Sequence, residues 1–314
     1  PLTLLRLRDE KFAVLEMGAN HPGEIAYLTH IARPDVAVIT NAGAAHLQGF
    51  GDLEGVARAK GEILAGLNAA GVAVLNADDP YFSLWRELAG DRRIITFGLT
   101  QAADVYSEPS RVEMRWTQSG FHSHFVVQTP AGEIELELSL AGQHNLANAL
   151  AAVAVALALQ LPERAIHQGL ASIEPMKGRL QSRLSTAGIR VIDDSYNANP
   201  DSVAAAIRVL RSAPGRHWLV LGDLAELGEG ALALHGRIGD QARAAGIDFL
   251  WAVGPMGLAA VKNFGRAGRH FSDREGLIAA LKEQLEAGDT VLVKGSRSAA
   301  MEQVVDALLI EGAR

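Results

Sequence analysis

Apolar residues along the chain first fall into short blocks separated by polar, turn-forming clusters. "KFAVLEM" (11–17) and "DVAVITN" (35–41) are apolar runs of strand length. Each is followed by helical spacing, at 23–32 and 53–70. A strand at 72–76, a helix at 80–89 and a strand at 93–97 continue the alternation. Continuous apolar strands separated by helices predict a mainly parallel sheet covered on both faces.

The rhythm breaks between 103 and 140. "RVEMRWTQSGFHSHFVVQTPAGEIELELSL" alternates at period two, with turn signals at Ser119-Gly120 and Pro130-Ala131-Gly132. That pattern predicts an antiparallel meander. An Ala-rich helix follows at 145–159, then another at 162–171. The polar Pro/Gly stretch "EPMKGRLQSR" (174–183) reads as a domain boundary. Beyond it the βα rhythm resumes, with strands at 190–193, 217–221, 249–253 and 290–294. Helices are expected at 201–211, 231–245, 255–264, 274–286 and 300–309. The expected class is α/β: a mainly parallel sheet with a meander in residues 1–178, then a Rossmann-like doubly wound domain in 179–314.

Composition narrows the partners. At 314 residues and 48% hydrophobic, the chain can build full cores. No apolar run approaches the ~18 residues of a membrane span, and no secretory leader is recognisable. A net charge of -7 argues against a nucleic-acid backbone but leaves room for a local phosphate site. The absence of cysteine removes disulfides and thiolate metal sites and suits a cytoplasmic chain.

In open α/β sheets, ligands bind beyond the carboxyl ends of the strands. Glu16 ends the first expected strand, His46 lies in the loop after the second ("TNAGAAHLQGFG"), and Lys60 lies on the helix that follows ("ARAKGEI"). Alone, each has an ordinary reading: a turn acid, a loop histidine, a solvated lysine. Together at one sheet edge they suit Mg²⁺ or Mn²⁺, which take oxygen and nitrogen ligands and keep waters and phosphates. No G-x-x-x-x-G-K-[ST] loop occurs, and "GEGALA" (228–233) is a poor dinucleotide loop because "DLAEL" separates it from its strand. His122 and His124 fall on one face of a hairpin strand and read as surface residues. Trp85 and Trp251 read as core. Residue patterns alone stop at a two-domain α/β enzyme using a divalent metal.

The motifs "EMGANHPGEI", "TNAGAAHLQGFG", "AKGEI", "HNLANALAA", "KGR", "DDSYNANPDS", "LGDLAELG" and "KGSRSAAMEQVV", in this order, resemble the Mur ligases of peptidoglycan synthesis. The likeness is greatest to the member that joins D-Ala-D-Ala to UDP-N-acetylmuramoyl-tripeptide. It implies a carbon–nitrogen ligase that activates a carboxylate with ATP as an acyl phosphate, which an amine then attacks. In that likeness Glu16 and His46 are magnesium ligands, and Lys60 is the lysine that is carbamylated in the family. Asn145 and Asn148 resemble adenine contacts, although Asn145 also reads as a helix cap. Arg179 matches an arginine that reaches the ATP phosphates, and Asp194 an acid that contacts the ribose. Ser195, Tyr196, Asn197, Asn199, Asp223, Glu226, Lys294, Ser296 and Arg297 are the candidates for holding the incoming dipeptide. Asn199-Pro200 reads equally as an ordinary helix start.

The resemblance also places an ATP loop, a further domain and the first strand of the central sheet upstream of Pro1. These residues alone are therefore expected to bind ATP weakly and not to ligate. A cytoplasmic monomer acting on small-molecule substrates is expected. The alternatives are another Mur or folylpolyglutamate-type ligase, or a non-catalytic binding module.

Overall fold

A computed structural model describes residues 2–43, 47–100, 103–117 and 120–310. The chain forms two compact units. Pro1–Val112, Phe125–Leu136 and Leu146–Leu170 make the first; Glu113–His124, Glu137–Asn145 and Ala171–Arg314 make the second.

The first unit begins with α1 (Glu24–Ala32), β1 (Val36–Ile39), a short α2 (Leu47–Phe50) and α3 (Leu53–Gly61). β2 (Val72–Asn76), α4 (Phe82–Ala89), β3 (Arg93–Gly98) and β4 (Val105–Tyr106) follow. β1 to β4 are parallel neighbours in sequence order. β2 is buried on both faces over Val72–Leu75, as a covered parallel strand must be. Ala37, Ile39, Ala73 and Leu75 point to one face, where they pack with Leu64 of the turn after α3 and with Trp85 and Ala89 of α4. Trp85 is fully buried and its indole N–H donates to the Ala57 carbonyl (2.9 Å), so the ring enters the core without an orphaned polar atom.

The meander comprises β5 (Val112–Thr117), β6 (Gly120–Thr129) and β7 (Gly132–Leu138), with β6 between the other two and antiparallel to β4. A turn at Pro130-Ala131 joins β6 to β7, and the turn expected at Ser119 lies outside the described residues. α5 (Gln143–Ala158) and α6 (Glu163–Ala171) follow.

The expected strand at 11–17 does not form. A strand needs a hydrogen-bonding neighbour, and β1 is a sheet edge paired only with β2 among the described residues. The segment has no regular structure, and Phe12 is 56% and Val14 97% exposed. Glu16 is exposed too, so it does not close a buried strand.

The second unit contains β8 (Gln181–Leu184), β9 (Arg190–Asp194), α7 (Pro200–Ser212), β10 (His217–Gly222), α8 (Ala231–Ala244) and β11 (Phe249–Val253). Then come α9 (Gly257–Phe264), β12 (Gly268–Phe271), α10 (Arg274–Gln284), β13 (Thr290–Lys294) and α11 (Glu302–Leu309). The sheet order is β12-β11-β10-β13-β9-β8. All its pairings are parallel except β8 with β9. The edge strands β8 ("QSRL") and β12 ("GRHF") were not expected; both are short and polar, without the apolar run that marks an interior strand.

Period-two alternation supplies two cores. Leu219, Leu221, Leu250, Ala252 and Leu292 face α7, α8 and α9. Trp218, Val220, Trp251, Val291 and Val293 face the other way, toward α10 and α11. Trp251 meets Trp218 edge to face at 5.1 Å between centroids, which is a core arrangement.

Candidate functional site

In the first unit, polar groups gather at the carboxyl ends of β1 and β2. The Asn76 side-chain amide donates to the Thr40 carbonyl (2.8 Å), and Asp79 accepts from Ala42 N–H (2.9 Å) and Tyr81 N–H (2.9 Å). These bonds fix the backbone at 40–42. Lys60 comes in from the last turn of α3, a helix started by Asp52, whose carboxylate accepts from Gly55 N–H (2.7 Å). Its ammonium donates to the Asn41 carbonyl at 2.7 Å. Burial pushes the Lys60 ammonium below the ordinary lysine range, and Asp79 pulls the other way. A lysine with this environment is closer to the neutral amine that reacts with CO₂.

The "EMGANHPGEI" segment is shaped by its own carboxylates. Glu24 accepts from Asn20 N–H (2.7 Å) and His21 N–H (3.3 Å), and those bonds hold its pKa down. Glu62, just past Lys60, accepts from Gly23 N–H (2.7 Å) and Ala26 N–H (3.1 Å) at the start of α1. The acid of "AKGEI" thus satisfies a helix N-terminus, a role its sequence position did not reveal. His46 lies outside the described residues. Among the described residues, no group of three or more His, Asp or Glu is close enough together to hold a metal ion. An ammonium at Lys60 would repel a cation.

Asn145 is the third residue of α5 and not its cap; its side-chain amide donates to the Ala141 carbonyl (2.8 Å). Asn148 is exposed one turn further on.

In the second unit the expected residues collect at the carboxyl ends of β9, β10 and β13, which are adjacent strands. They differ sharply in what they already hold. Lys294 is 2% exposed, and its ammonium donates to Asp194 Oδ2 (2.6 Å) and the Asn197 carbonyl (3.0 Å). Asp194 Oδ1 accepts from Leu180 N–H (3.2 Å). Ser195 is buried and donates its hydroxyl to Asp193 Oδ1 at 2.6 Å. Asn197 Oδ1 accepts from Ala198 N–H (2.9 Å). Asn199 caps α7 in a capping box: its Oδ1 accepts from Ser202 N–H (2.8 Å) while Ser202 Oγ accepts from Asn199 N–H (3.0 Å).

Asp223 accepts from Met256 N–H (3.1 Å) and Gly257 N–H (2.9 Å). Its carbonyl accepts from Ser296 Oγ (2.6 Å) and Ser296 N–H (3.0 Å), which ties "LGDLAELG" to "KGSR". Leu224 N–H donates to Nε2 of the fully buried His235, whose Nδ1 donates to the Ala231 carbonyl (2.7 Å). Glu226 and Arg297 are exposed, and Glu226 holds a left-handed backbone (φ 61°). Tyr196 and Arg179 are exposed and in contact, with the guanidinium carbon 4.6 Å from the ring centroid. His122 and His124 are both exposed.

Residues 1–156 match the Mur ligase middle domain and residues 178–297 the Mur ligase glutamate ligase domain. The UDP-N-acetylmuramoyl-tripeptide–D-alanyl-D-alanine ligase of Escherichia coli K12 is 43% identical over 320 residues, covering 99% of this chain and 68% of that protein. A crystal structure of MurF from Acinetobacter baumannii superposes with a TM-score of 0.89 at 35% identity, covering 98% of this chain and 67% of that one. MurF from Thermotoga maritima in complex with ADP gives 0.85 at 28% identity, over 96% and 68% of the two chains. The chain thus spans about two thirds of the length of these relatives. With the ordered motifs lying on both units and the likeness running across nearly every residue, the chain belongs to the Mur ligase family, in its MurF branch.

Proposed function

We propose that the chain carries the central and C-terminal parts of an ATP-dependent ligase that adds D-Ala-D-Ala to UDP-N-acetylmuramoyl-tripeptide in peptidoglycan precursor synthesis. The observation that carries this reading is the 43% identity to the Escherichia coli D-Ala-D-Ala-adding ligase across 99% of the chain. The domain division proposed is 1–178 for ATP and 179–314 for the dipeptide. No helix among the described residues is long and apolar enough to cross a membrane, and a cytoplasmic monomer acting on small molecules suits the reading.

The chemistry follows from charge. A carboxylate is a poor electrophile, so the ligase first transfers the γ-phosphoryl group of ATP to it, giving an acyl phosphate and ADP. The dipeptide amine then attacks the acyl carbon, and phosphate leaves from the tetrahedral intermediate. Glu16, His46 and a carbamylated Lys60 are the proposed holders of Mg²⁺, which when bound neutralises phosphate charge. The Lys60 environment supports carbamylation: the amine is partly desolvated, and an unmodified ammonium is the wrong charge for a metal site. Asn145 and Asn148 are proposed for adenine, Asp194 for ribose, and Arg179 for the phosphates, where a guanidinium fork suits anionic oxygens. For the dipeptide, the exposed candidates Asn197, Glu226 and Arg297 are proposed to make direct contact, with Arg297 offering charge to the carboxylate. Ser195, Asn199, Asp223, Lys294 and Ser296 are proposed to shape the site, because each is engaged in the hydrogen bonds given above.

The test is phosphate release that requires both UDP-muramoyl-tripeptide and D-Ala-D-Ala, in a ligase carrying these residues together with a phosphate-binding loop. Dependence on both substrates is expected. Release with glutamate or meso-diaminopimelate as the preferred amine would assign the chain to another ligase of the family. No release with any amine would leave a binding function.

A further inference from the structure

The "KGR" and "DDSY" segments are woven together in the second unit. β8 leaves the first segment and runs antiparallel to β9, with Gln181 opposite Asp193. Asp193 is fully buried, and both of its oxygens are engaged by backbone and hydroxyl. Oδ2 accepts from Gly178 N–H (3.1 Å); Oδ1 accepts from Ser195 N–H (3.1 Å) and Ser195 Oγ (2.6 Å). Asp194 grips the next free amide of the same turn, at Leu180 (3.2 Å). The two acids therefore clamp the backbone on either side of Arg179.

That backbone is unusual. Gly178 (φ 79°) and Leu180 (φ 52°) are both left-handed, which only a fixed surrounding maintains for leucine. The Gly178 carbonyl accepts from Tyr196 N–H (3.0 Å), and a Cβ at 178 would lie 3.0 Å from Tyr196 Cβ. The Arg179 guanidinium lies over the Tyr196 ring, 4.6 Å from its centroid, within the range where ring and cation attract. Arg179 is exposed, so packing alone does not orient it.

We propose that Tyr196 and Asp193 are positioning residues for Arg179. Asp193 fixes the turn from which the side chain departs, and the Tyr196 ring fixes the plane of the guanidinium. A fork already oriented loses less freedom when phosphate oxygens arrive, and those oxygens gain strength as charge shifts during transfer. The inference rests on the reading that Arg179 meets the ATP phosphates. It assigns Tyr196 to the nucleotide side of the reaction and not to the dipeptide.

The experiment is a double-mutant cycle in the intact ligase, reading kcat and KM separately for ATP and for D-Ala-D-Ala. Tyr196→Leu is expected to change kcat/KM for ATP by about 3- to 30-fold, the range of a cation–ring contact, with KM for the dipeptide unmoved. Tyr196→Phe keeps the ring and is expected to recover most of that loss. In an Arg179→Ala background, Tyr196→Leu should add nothing, because nothing is left to orient. Asp193→Asn replaces one accepting oxygen with an amide and is expected to follow the same pattern; the Tyr196 variants answer the question if that protein fails to fold. Effects that multiply independently, or a rise confined to KM for the dipeptide, would overturn the proposal. If Arg179→Ala itself leaves the ATP parameters untouched, the phosphate role of Arg179 falls and the positioning role with it.

Discussion

Lys294 and Asp194 lie at the paired carboxyl ends of neighbouring strands, and their side chains meet at 2.6 Å. The side chains are 2% and 12% exposed. Removing one partner strands the other charge in a place with little water. Lys294→Met is therefore expected to destabilise the protein by about 3–5 kcal/mol, read as a lowered urea midpoint. Lys294→Met combined with Asp194→Asn should recover part of that loss. A single substitution without effect on the midpoint would mean that water reaches the pair.

Asn199 separates a cap from a ligand. Its side-chain oxygen is engaged by Ser202 N–H at 2.8 Å. Asn199→Ala is expected to cost about 1 kcal/mol of stability, and Asn199→Ser to restore most of it. In the ligase assay, KM for D-Ala-D-Ala should stay within error for Asn199→Ser. A large rise in that constant would give Asn199 a direct hold on substrate.

Acid should reveal the Arg111–Glu133 pair. Arg111 donates to both Glu133 oxygens (2.8 and 3.1 Å). That fork, helped by Gln128, holds the Glu133 carboxyl down to about 2. The folded pKa is below the unfolded one, so the unfolded chain binds the proton first. The pair's contribution is complete above the ordinary carboxylate range and is lost as pH falls through that range toward about 2. Glu133→Gln should therefore lose this small contribution at neutral pH and flatten the acid limb of a stability–pH curve, so that the two curves converge as pH falls toward about 2. Parallel curves for the two proteins would refute this. The effect is small because both side chains face water.

Lys60→Ala is expected to abolish turnover in the ligase. Bicarbonate should not restore it, because the amine that forms the carbamate is gone. Short-chain carboxylates should restore part of it by filling the same space with an anionic end. Full activity in Lys60→Ala would exclude the carbamate role.

The sequence made the interior of each sheet easy to read and the edges hard. β10, β11 and β13 are buried on both faces, so they appear as unbroken apolar runs. β8 and β12 need satisfy only one neighbour, and their polar residues look like loop. The segment at 11–17 has the opposite problem. Its residues suit a strand, but pairing is a property of what lies beside it. The site shows the same split. Order and identity of the motifs were plain, whereas "DD" in "DDSYNANP" does not say that both acids hold backbone amides and that Asp194 alone also meets Lys294. Nor does "KGSR" distinguish a lysine facing solvent from Lys294, which faces inward. Glu62 and His235 went unnoticed for a related reason: each serves an amide distant in sequence, 39 and 11 residues away.

The order β12-β11-β10-β13-β9-β8 has a consequence for synthesis. Among the described residues, β13 is the last strand of this sheet in chain order, yet it lies between β9 and β10 and pairs with both. While the ribosome still holds residues 290–294, β9 with β8 and β10 with β11 and β12 are separate half-sheets with unpaired inner edges. The second sheet is therefore completed by an insertion: it becomes continuous only when the strand ending in Lys294 emerges and slots between strands made before it.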